Sequence, residues 1–152
     1  MFHVRRASAF EVIDLRHAVL RCGLARATAI FPGDDAPDAV HVVAVEEVGS
    51  DILGCATIIP SAWEGQKAWQ LRGMAVAPRV QRSGIGGQML SELRRIAQDT
   101  ADDVRLMWCN ARSPAVAFYE RHGWTIASEE FVIPTAGPHF KMILKLPPPD
   151  VR

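Results

Sequence analysis

One stretch, residues 69–97, most constrains what this chain can fold into. It reads WQLRGMAVAPRVQRSGIGGQMLSELRRIA: an apolar run ending at Val76, a basic and polar turn, glycines within residues 84–87, and then apolar residues at helical spacing. A short apolar run indicates a buried strand, and apolar residues three and four apart indicate an amphipathic helix. The stretch therefore predicts a strand, a loop and a helix in succession.

The loop of this unit has the chemistry of an anion site. The first N–H groups of a helix have no acceptor inside it and form the positive end of its dipole. Gly84, Gly86 and Gly87 carry no side chain that would hold a phosphate away from those amides, and Arg79 and Arg82 add positive charge. Glycines alone could equally serve a sharp turn and close packing of helix on strand. The flanking arginines favour a pyrophosphate site.

Spacing separates three kinds of phosphate loop. A Walker loop needs Lys followed by Ser or Thr after its last glycine, whereas Gln88 and Met89 follow here. A dinucleotide fingerprint needs a third glycine where Met89 stands, and an acidic residue about 20 residues further on, where the next strand ends in Asn110. The pattern QxxGxG does match, at residues 81–86, directly after a strand ending at Val76.

With this motif the chain resembles the GNAT superfamily of N-acetyltransferases, which bind the pyrophosphate of acyl-CoA on that loop. A second specific likeness lies in NAR at residues 110–112 and FYERHGW at residues 118–124. The first helix and residues 137–142 add a looser likeness to small bacterial members whose substrates are mostly unassigned. The resemblance covers the whole order of elements.

Composition predicts one ordinary globular domain over residues 1–152. The chain is 49% hydrophobic and 22% charged, with formal net charge zero, so no global field draws it to nucleic acid or to an anionic membrane. We expect no signal peptide and no membrane span. Cys22, Cys55 and Cys109 lie in or beside apolar stretches, which predicts buried free thiols and a cytoplasmic protein. No cysteine or histidine spacing suggests a metal.

The rest of the chain predicts alternating strands and helices. In the first half we expect a strand at residues 2–5, and a helix from Ser8 to Gly23 that opens with a Ser8–Glu11 capping box. The polar face of this helix carries Arg16, His17 and Arg21, and we expect that face to be exposed to solvent. The alternative is that one of the two arginines points into a substrate cleft. A loop at residues 30–38, strands at 41–48 and 51–59, a loop at 60–67 and the central strand at 68–76 follow.

The second half predicts further elements of the same kinds. The helix after the glycines has an apolar stripe at Ile85, Met89, Leu93 and Ile96 and ends at residues 100–103. A parallel strand at 104–109 and a helix from Ser113 to Gly123, with Ser113 as its cap, come next. Strands at 124–127, 131–133 and 140–146 complete the chain, the last one stopped by the prolines at 147–149. The fold class is α/β (α+β), a mixed, mostly antiparallel GNAT-like central sheet with helices on both faces.

The resemblance implies that acetyl-CoA is the cosubstrate, with no metal. The main chain of one strand segment would pair with the pantetheine arm, the loop would hold the pyrophosphate, and Asn110 at the end of the next strand would contact pantetheine. The implied cofactor-binding residues are Met74, Ala75, Val76, Gln81, Arg82, Ser83, Gly84, Ile85, Gly86, Gly87 and Asn110.

Tyr119 is the implied catalytic acid. It matches the tyrosine that in many GNAT enzymes protonates the leaving thiolate, and a phenol is a proton donor at neutral pH. A partly buried core aromatic is the other interpretation.

The general base is left open. Many family members have a glutamate where Gln70 stands, and an amide cannot accept the proton. Replacements on loops or strand ends, beside a water relay, are Glu64, Asp34, His41 and His139. Arg72, on the same strand face as Gln70, would meet either an acidic part of the substrate or a salt-bridge partner.

The resulting function is direct transfer of an acetyl group from acetyl-CoA to a primary amine of a small molecule or peptide. A non-enzymatic acyl-CoA-binding or sensing module is the alternative, since Gln70 replaces the glutamate, and a dinucleotide-binding domain is a distant third. We expect no nucleic acid or membrane partner. Family members are often dimers through sheet edges, so the resemblance allows a homodimer.

Overall fold

The computed structural model describes residues 1–100 and 103–148. Within it the chain forms two compact units, one of Met1–Ile59 with Arg72–Arg95 and one of Pro60–Leu71 with Ile96–Arg152. We call them the first and the second unit. The expected helix end at 100–103 and the proline stop at 147–149 fall partly outside the described residues.

The first unit is built on antiparallel strands. Its elements are β1 (Phe2–Ala7), α1 (Ile13–Leu20), β2 (Val40–Glu46), most of β3 (Ile52–Pro60), the last five residues of β4 (Trp69–Val76) and most of α2 (Ile85–Thr100). β1 pairs with β2 and β2 with β3, all antiparallel, and β4 follows β3 in the strand order. β2 is apolar along almost its whole length because both of its faces are covered. The core cluster comprises Val12, Val43, Val45, Cys55 and Ala75.

The second unit combines one parallel pair with antiparallel strands. Its elements are the first three residues of β4, β5 (Leu106–Arg112), α3 (Val116–Arg121), β6 (Thr125–Ile126), β7 (Phe131–Ile133) and β8 (Gly137–Lys145). β4 pairs in parallel with β5 over Trp69–Leu71, and β5, β6 and β7 each pair antiparallel with β8. The expected mixed, mostly antiparallel sheet is confirmed.

Several element predictions need correction at their ends. α1 stops at Leu20 rather than Gly23. Only half of the Ser8–Glu11 capping box is present: the Ser8 N–H donates to Glu11 Oε1 at 3.2 Å, but Ser8 Oγ caps no backbone group. Ser113 is not a cap, since its hydroxyl donates to Glu130 Oε2 at 2.8 Å. Gly123, with φ 92°, ends the α3 region as expected.

Two predictions about exposure were wrong. Arg16 was expected on a solvated helix face but has no exposed surface, because Asp34 and Thr57 supply buried acceptors for its guanidinium. Cys22 was expected to be buried and is exposed, since α1 has already ended before it. Cys55 and Cys109 are buried as expected, and burial raises the pKa of each thiol to about 12, which leaves both as inert thiols at neutral pH.

Candidate functional site

The glycine loop of the first unit leaves a row of backbone amides without helical acceptors. After a short 3₁₀ turn at Pro78–Val80, the chain reverses through Arg82 and Gly84, both left-handed with φ of 67° and 89°. The first hydrogen bond of α2 runs from the Gln88 N–H to the Gly84 carbonyl at 3.1 Å. The N–H groups of Gly84, Ile85, Gly86 and Gly87 therefore precede the helical ladder, at the positive end of a helix dipole.

Side chains of the loop shape it from within. The Gln81 side-chain amide donates to the Val76 carbonyl at 3.2 Å, and the Ser83 hydroxyl donates to the Val80 carbonyl. Arg82 and Gly84 are exposed, and Gly86 and Gly87 are half-buried. Gln81 and Ser83 thus hold the loop in shape, and Arg82 is exposed beside the start of α2.

A glycine that the sequence analysis passed over lets α2 approach the sheet. A Cβ on Gly54, in β3, would lie 2.8 Å from Ile85 Cγ2 and 2.9 Å from Met89 Cε. The first turn of α2 can pack this closely only because position 54 has no side chain. The signal was present in the sequence as a glycine inside an apolar strand.

The β4 segment that the resemblance assigned to pantetheine presents one buried and two half-buried residues. Ala75 is 3% exposed and belongs to the core, whereas Met74 and Val76 point to the opposite face, as strand alternation requires. Among the described residues, the ladder with β5 ends at Leu71. The main chain of Met74 to Val76 therefore lies beyond the last rung of that ladder.

Asn110 lies in the second unit, within an aromatic and cationic group. Its Oδ1 accepts a hydrogen bond from Lys141 Nζ at 3.1 Å, and that ammonium lies 4.9 Å from the Trp108 ring and 5.3 Å from the Phe131 ring. Trp63 packs on Trp108 with ring centroids 5.6 Å apart. Asn110 is thereby oriented by a side chain on β8.

Tyr119 also lies in the second unit, on α3, and is 8% exposed. Its ring contacts Trp124 and Phe118 edge-on, with centroids 5.5 Å and 5.2 Å away. Burial, with a smaller contribution from the Cys109 thiol, raises the pKa of Tyr119 well above its ordinary value. The phenol consequently stays protonated at any physiological pH.

Two of the side chains considered as general base already use their acceptors inside the first unit. His41 is buried between Thr57 Oγ1, 2.7 Å from Nδ1, and the Asp34 carbonyl, 2.9 Å from Nε2. A carbonyl oxygen only accepts hydrogen bonds, so Nε2 carries the proton. Nδ1 therefore accepts a hydrogen bond from the Thr57 hydroxyl. The Asp34 carboxylate accepts from Arg16, Arg72 and the Phe31 N–H.

The other two candidates lie in the second unit. His139 Nδ1 lies 2.8 Å from the Gly137 carbonyl, which makes Nδ1 the donor and leaves the lone pair on Nε2. Glu64 is exposed, with φ 47°, at the tip of a turn closed by Trp63 and Gln66. It lines an open cavity of about 370 Å³, together with Trp63, Gln66, Arg105, Leu106, Ile143, Lys145 and Leu146.

A buried ion cluster in the first unit was only partly anticipated by the sequence. We call Arg16, Phe31, Asp34, Thr57 and Arg72 the arginine–aspartate cluster. Arg16 Nη1 lies 2.7 Å from Asp34 Oδ2, and Arg72 Nη2 lies 3.0 Å from Asp34 Oδ1. Burial alone would raise the pKa of Asp34, but the hydrogen bonds from Arg16 and Phe31 and the two positive charges outweigh it and hold the pKa below its ordinary value. Arg72 thus has the salt-bridge partner that one of its two interpretations expected.

Two structural findings concern metals and membranes. Within residues 1–100 and 103–148, no group of three or more His, Cys, Asp or Glu side chains is arranged to hold a metal ion. In that same part of the chain, no helix combines the length and apolarity needed to cross a membrane.

Comparison with known proteins agrees with the resemblance. The family model described as "Acetyltransferase (GNAT) domain" matches residues 37–126, more than half of the chain. The chain is 24% identical over 145 residues to the uncharacterized N-acetyltransferase YitI of Bacillus subtilis (strain 168), covering 93% of this chain and 95% of that protein.

Solved structures share the fold. Escherichia coli ElaA superposes with a TM-score of 0.78 at 17% identity, over 95% of this chain and 99% of that one. An aminoglycoside 6'-N-acetyltransferase complexed with coenzyme A superposes with a TM-score of 0.75 at 14% identity, over 96% and 98% of the two chains.

Proposed function

The chain belongs to the GNAT family of acetyltransferases, and from that premise we propose a function. We propose that residues 1–152 act as one domain that transfers the acetyl group of acetyl-CoA directly to a primary amine. The acceptor is a small molecule or a peptide. The observation that carries the proposal is the row of amides at Gly84–Gly87, which precede the first hydrogen bond of α2, on the same loop as Arg82. Acetyl-CoA and reduced thiols such as the exposed Cys22 both fit a cytoplasmic location.

The glycine loop binds the diphosphate of the cosubstrate. Helix N-terminal amides with an arginine on the same loop are a general anion site, and the loop turns through left-handed residues at Arg82 and Gly84 just before them. The main chain of Met74 to Val76 holds the pantetheine arm as an added strand would, since it lies beyond the last rung of the β4–β5 ladder. Gln81 and Ser83 contribute by keeping the loop in this shape.

The transfer requires one proton to leave the amine and one to reach the thiolate. The amine nitrogen forms a bond to the thioester carbonyl carbon, and the carbon–sulfur bond breaks from the tetrahedral intermediate. A backbone amide of Met74 to Val76 polarises the carbonyl oxygen. Tyr119 donates its phenolic proton to the departing sulfur, and its raised pKa means that the phenol carries this proton at neutral pH.

The proton from the amine goes to a group other than Gln70. Asp34 and His41 already use their lone pairs within the first unit, which leaves Glu64, His139 Nε2 or a water molecule. The aminoglycoside 6'-N-acetyltransferase, which shares the fold with a TM-score of 0.75, was solved as a complex with coenzyme A. That complex supports the proposal that this fold binds the cosubstrate here.

One substitution tests the cosubstrate site. Gly86→Asp places a carboxylate among the amides, where it repels the diphosphate but suits the N-terminus of α2. Calorimetry should show acetyl-CoA binding at least ~10-fold weaker than for wild type, since one lost charged contact is worth about 1.5–3 kcal/mol. The matched control Ser91→Asp adds the same charge at an exposed position of α2 and should bind normally. Equal affinities in the two variants would contradict the proposed site.

Turnover is tested separately. Wild-type protein should release coenzyme A thiol from acetyl-CoA when supplied with a library of primary amines. Binding without release for every amine would favour the non-enzymatic acyl-CoA-binding module over the transferase.

A further inference from the structure

Two guanidinium groups in the arginine–aspartate cluster share a single carboxylate. Asp34 Oδ2 accepts from Arg16 Nη1 at 2.7 Å and from the Phe31 N–H at 2.9 Å. Asp34 Oδ1 accepts from Arg72 Nη2 at 3.0 Å and from Arg16 Nη2 at 3.5 Å. Four donors fill the acceptor capacity of a carboxylate. In the described part of the chain neither arginine has a second carboxylate within salt-bridge distance, so the cluster keeps a surplus positive charge.

Part of the Arg72 guanidinium has no acceptor. Nη2 is used by Asp34 and by the Pro32 carbonyl, whereas Nε is buried without a partner among the described residues. Arg72 makes its hydrogen bonds to the described residues through Nη2, so Nη1 has none there, and the side chain keeps 16% of its surface exposed. A buried donor without an acceptor is destabilising, so such a group calls for an explanation. An anion arriving from solvent would supply an acceptor for Nη1.

The surroundings of Arg72 add positive rather than negative charge. The Phe31 ring has three guanidinium carbons around it, those of Arg16, Arg21 and Arg72, at 4.0, 5.0 and 5.6 Å from its centroid. Among the described residues, Asp34 is the carboxylate bound to Arg72, and with four donors it is saturated and cannot take a substrate ammonium as well. This locus therefore suits an anion and not a cation.

Arg72 is also close in the strand to the residues assigned to the thioester. It precedes Met74 by two positions, about 7 Å along β4, with Gly73 between them in a left-handed conformation at φ 65°. An amine placed for attack beside Met74 to Val76 thus brings the rest of the acceptor within reach of a long side chain at position 72. Asp34 and Arg16 hold that side chain in place.

We propose that Arg72 binds a carboxylate of the acceptor, so that the amines acetylated by this protein are amino acid-like compounds that carry a carboxylate. This inference rests on the proposed acetyl transfer and names its substrate class. Arg72 acts as a specificity-determining residue, and Asp34 and Arg16 as positioning residues.

The test compares matched amines in wild type and two variants. L-Alanine, L-glutamate and 4-aminobutyrate are each paired with the carboxamide that lacks the negative charge. Binding to coenzyme A-saturated protein is measured by calorimetry, and thiol release gives kcat and KM. Arg72→Gln removes the charge, Arg72→Lys keeps it without the planar fork, and Arg26→Gln is the control at an exposed arginine. Thermal unfolding confirms that each variant is folded.

Wild type and Arg26→Gln should bind at least one carboxylate at least ~10-fold tighter than its carboxamide, the equivalent of one charged hydrogen bond. Arg72→Gln should lose that ratio through a raised KM, with acetyl-CoA affinity unchanged, and Arg72→Lys should keep part of it. Equal affinities for carboxylates and carboxamides in wild type, or an unchanged ratio in Arg72→Gln, would overturn the inference. Thiol release with none of the amines would count against acetyl transfer itself, while the calorimetric ratio still decides the anion site.

Discussion

Asp34→Asn should be among the most destabilising conservative substitutions in the chain. It preserves the size of the side chain and removes the one negative charge that faces Arg16 and Arg72. Arg16 has no exposed surface, so it cannot turn to water for compensation. The side-chain NH₂ group of asparagine would also place hydrogen-bond donors against the guanidinium groups, which are donors themselves. Removing one partner of a buried ion pair costs about 3–5 kcal/mol, a large part of the total stability of a typical domain.

The assay is urea and thermal unfolding of wild type, Asp34→Asn and the matched control Asp35→Asn. Asp35 is the next residue on the same loop and is exposed, so its substitution should change stability by less than about 0.5 kcal/mol. For a chain of this length, the loss in Asp34→Asn corresponds to a fall in Tm of roughly 6–20 °C. Equal stability of the two variants would refute the buried cluster.

The same pair of proteins gives a pH signature. The folded pKa of Asp34 is lowered, so its contribution to stability is complete above the ordinary value of about 3.9 and is lost as pH falls through the folded value. The gap between wild type and Asp34→Asn should therefore be constant near neutral pH and shrink below about pH 4. A gap that stayed constant down to pH 2 would contradict the ionised carboxylate.

Three further predictions follow from single contacts. Tyr119→Phe should lower kcat by about 10²–10⁴-fold with acetyl-CoA affinity nearly unchanged, and normal turnover would remove Tyr119 from the mechanism. Because the pKa of Tyr119 is raised, kcat of the wild type should not fall through loss of this proton donor up to about pH 10. A fall in kcat at alkaline pH that disappears in Tyr119→Phe would contradict this prediction. Gly54→Ala should cost about 1–3 kcal/mol in urea unfolding, because the new methyl group would meet Ile85 at 2.8 Å, and unchanged stability would mean that the helix moves freely off the strand.

Elements with a strong local pattern were predictable from sequence. The stripe Ile85, Met89, Leu93 and Ile96 is buried as its spacing indicated. Helical periodicity can be recognised from residues that are three or four positions apart, without knowledge of distant partners. Gly49 and Ser50, both with positive φ, form the turn between the strands expected at residues 41–48 and 51–59, and a Gly-Ser turn is a local signal of the same kind.

Features that depend on distant partners were not predictable. Arg16 is buried only because Asp34, 18 residues later, and Thr57, 41 residues later, meet it in the folded unit. When only the sequence of its own helix is considered, an arginine predicts a solvent-exposed helix face. Ser113 likewise had the sequence of a cap, but Glu130 competes for its hydroxyl from 17 residues away. The roles of the site residues stay predictions, because they depend on a ligand that the sequence only implies.

The central claim is that the amides of Gly84, Ile85, Gly86 and Gly87 bind the diphosphate of acetyl-CoA. A ¹⁵N–¹H NMR titration of the wild-type protein with acetyl-CoA reads those amides one by one. The account predicts that these four signals move most and saturate together with the calorimetric binding curve. Saturable binding that leaves them unmoved, or no binding at all, would contradict it.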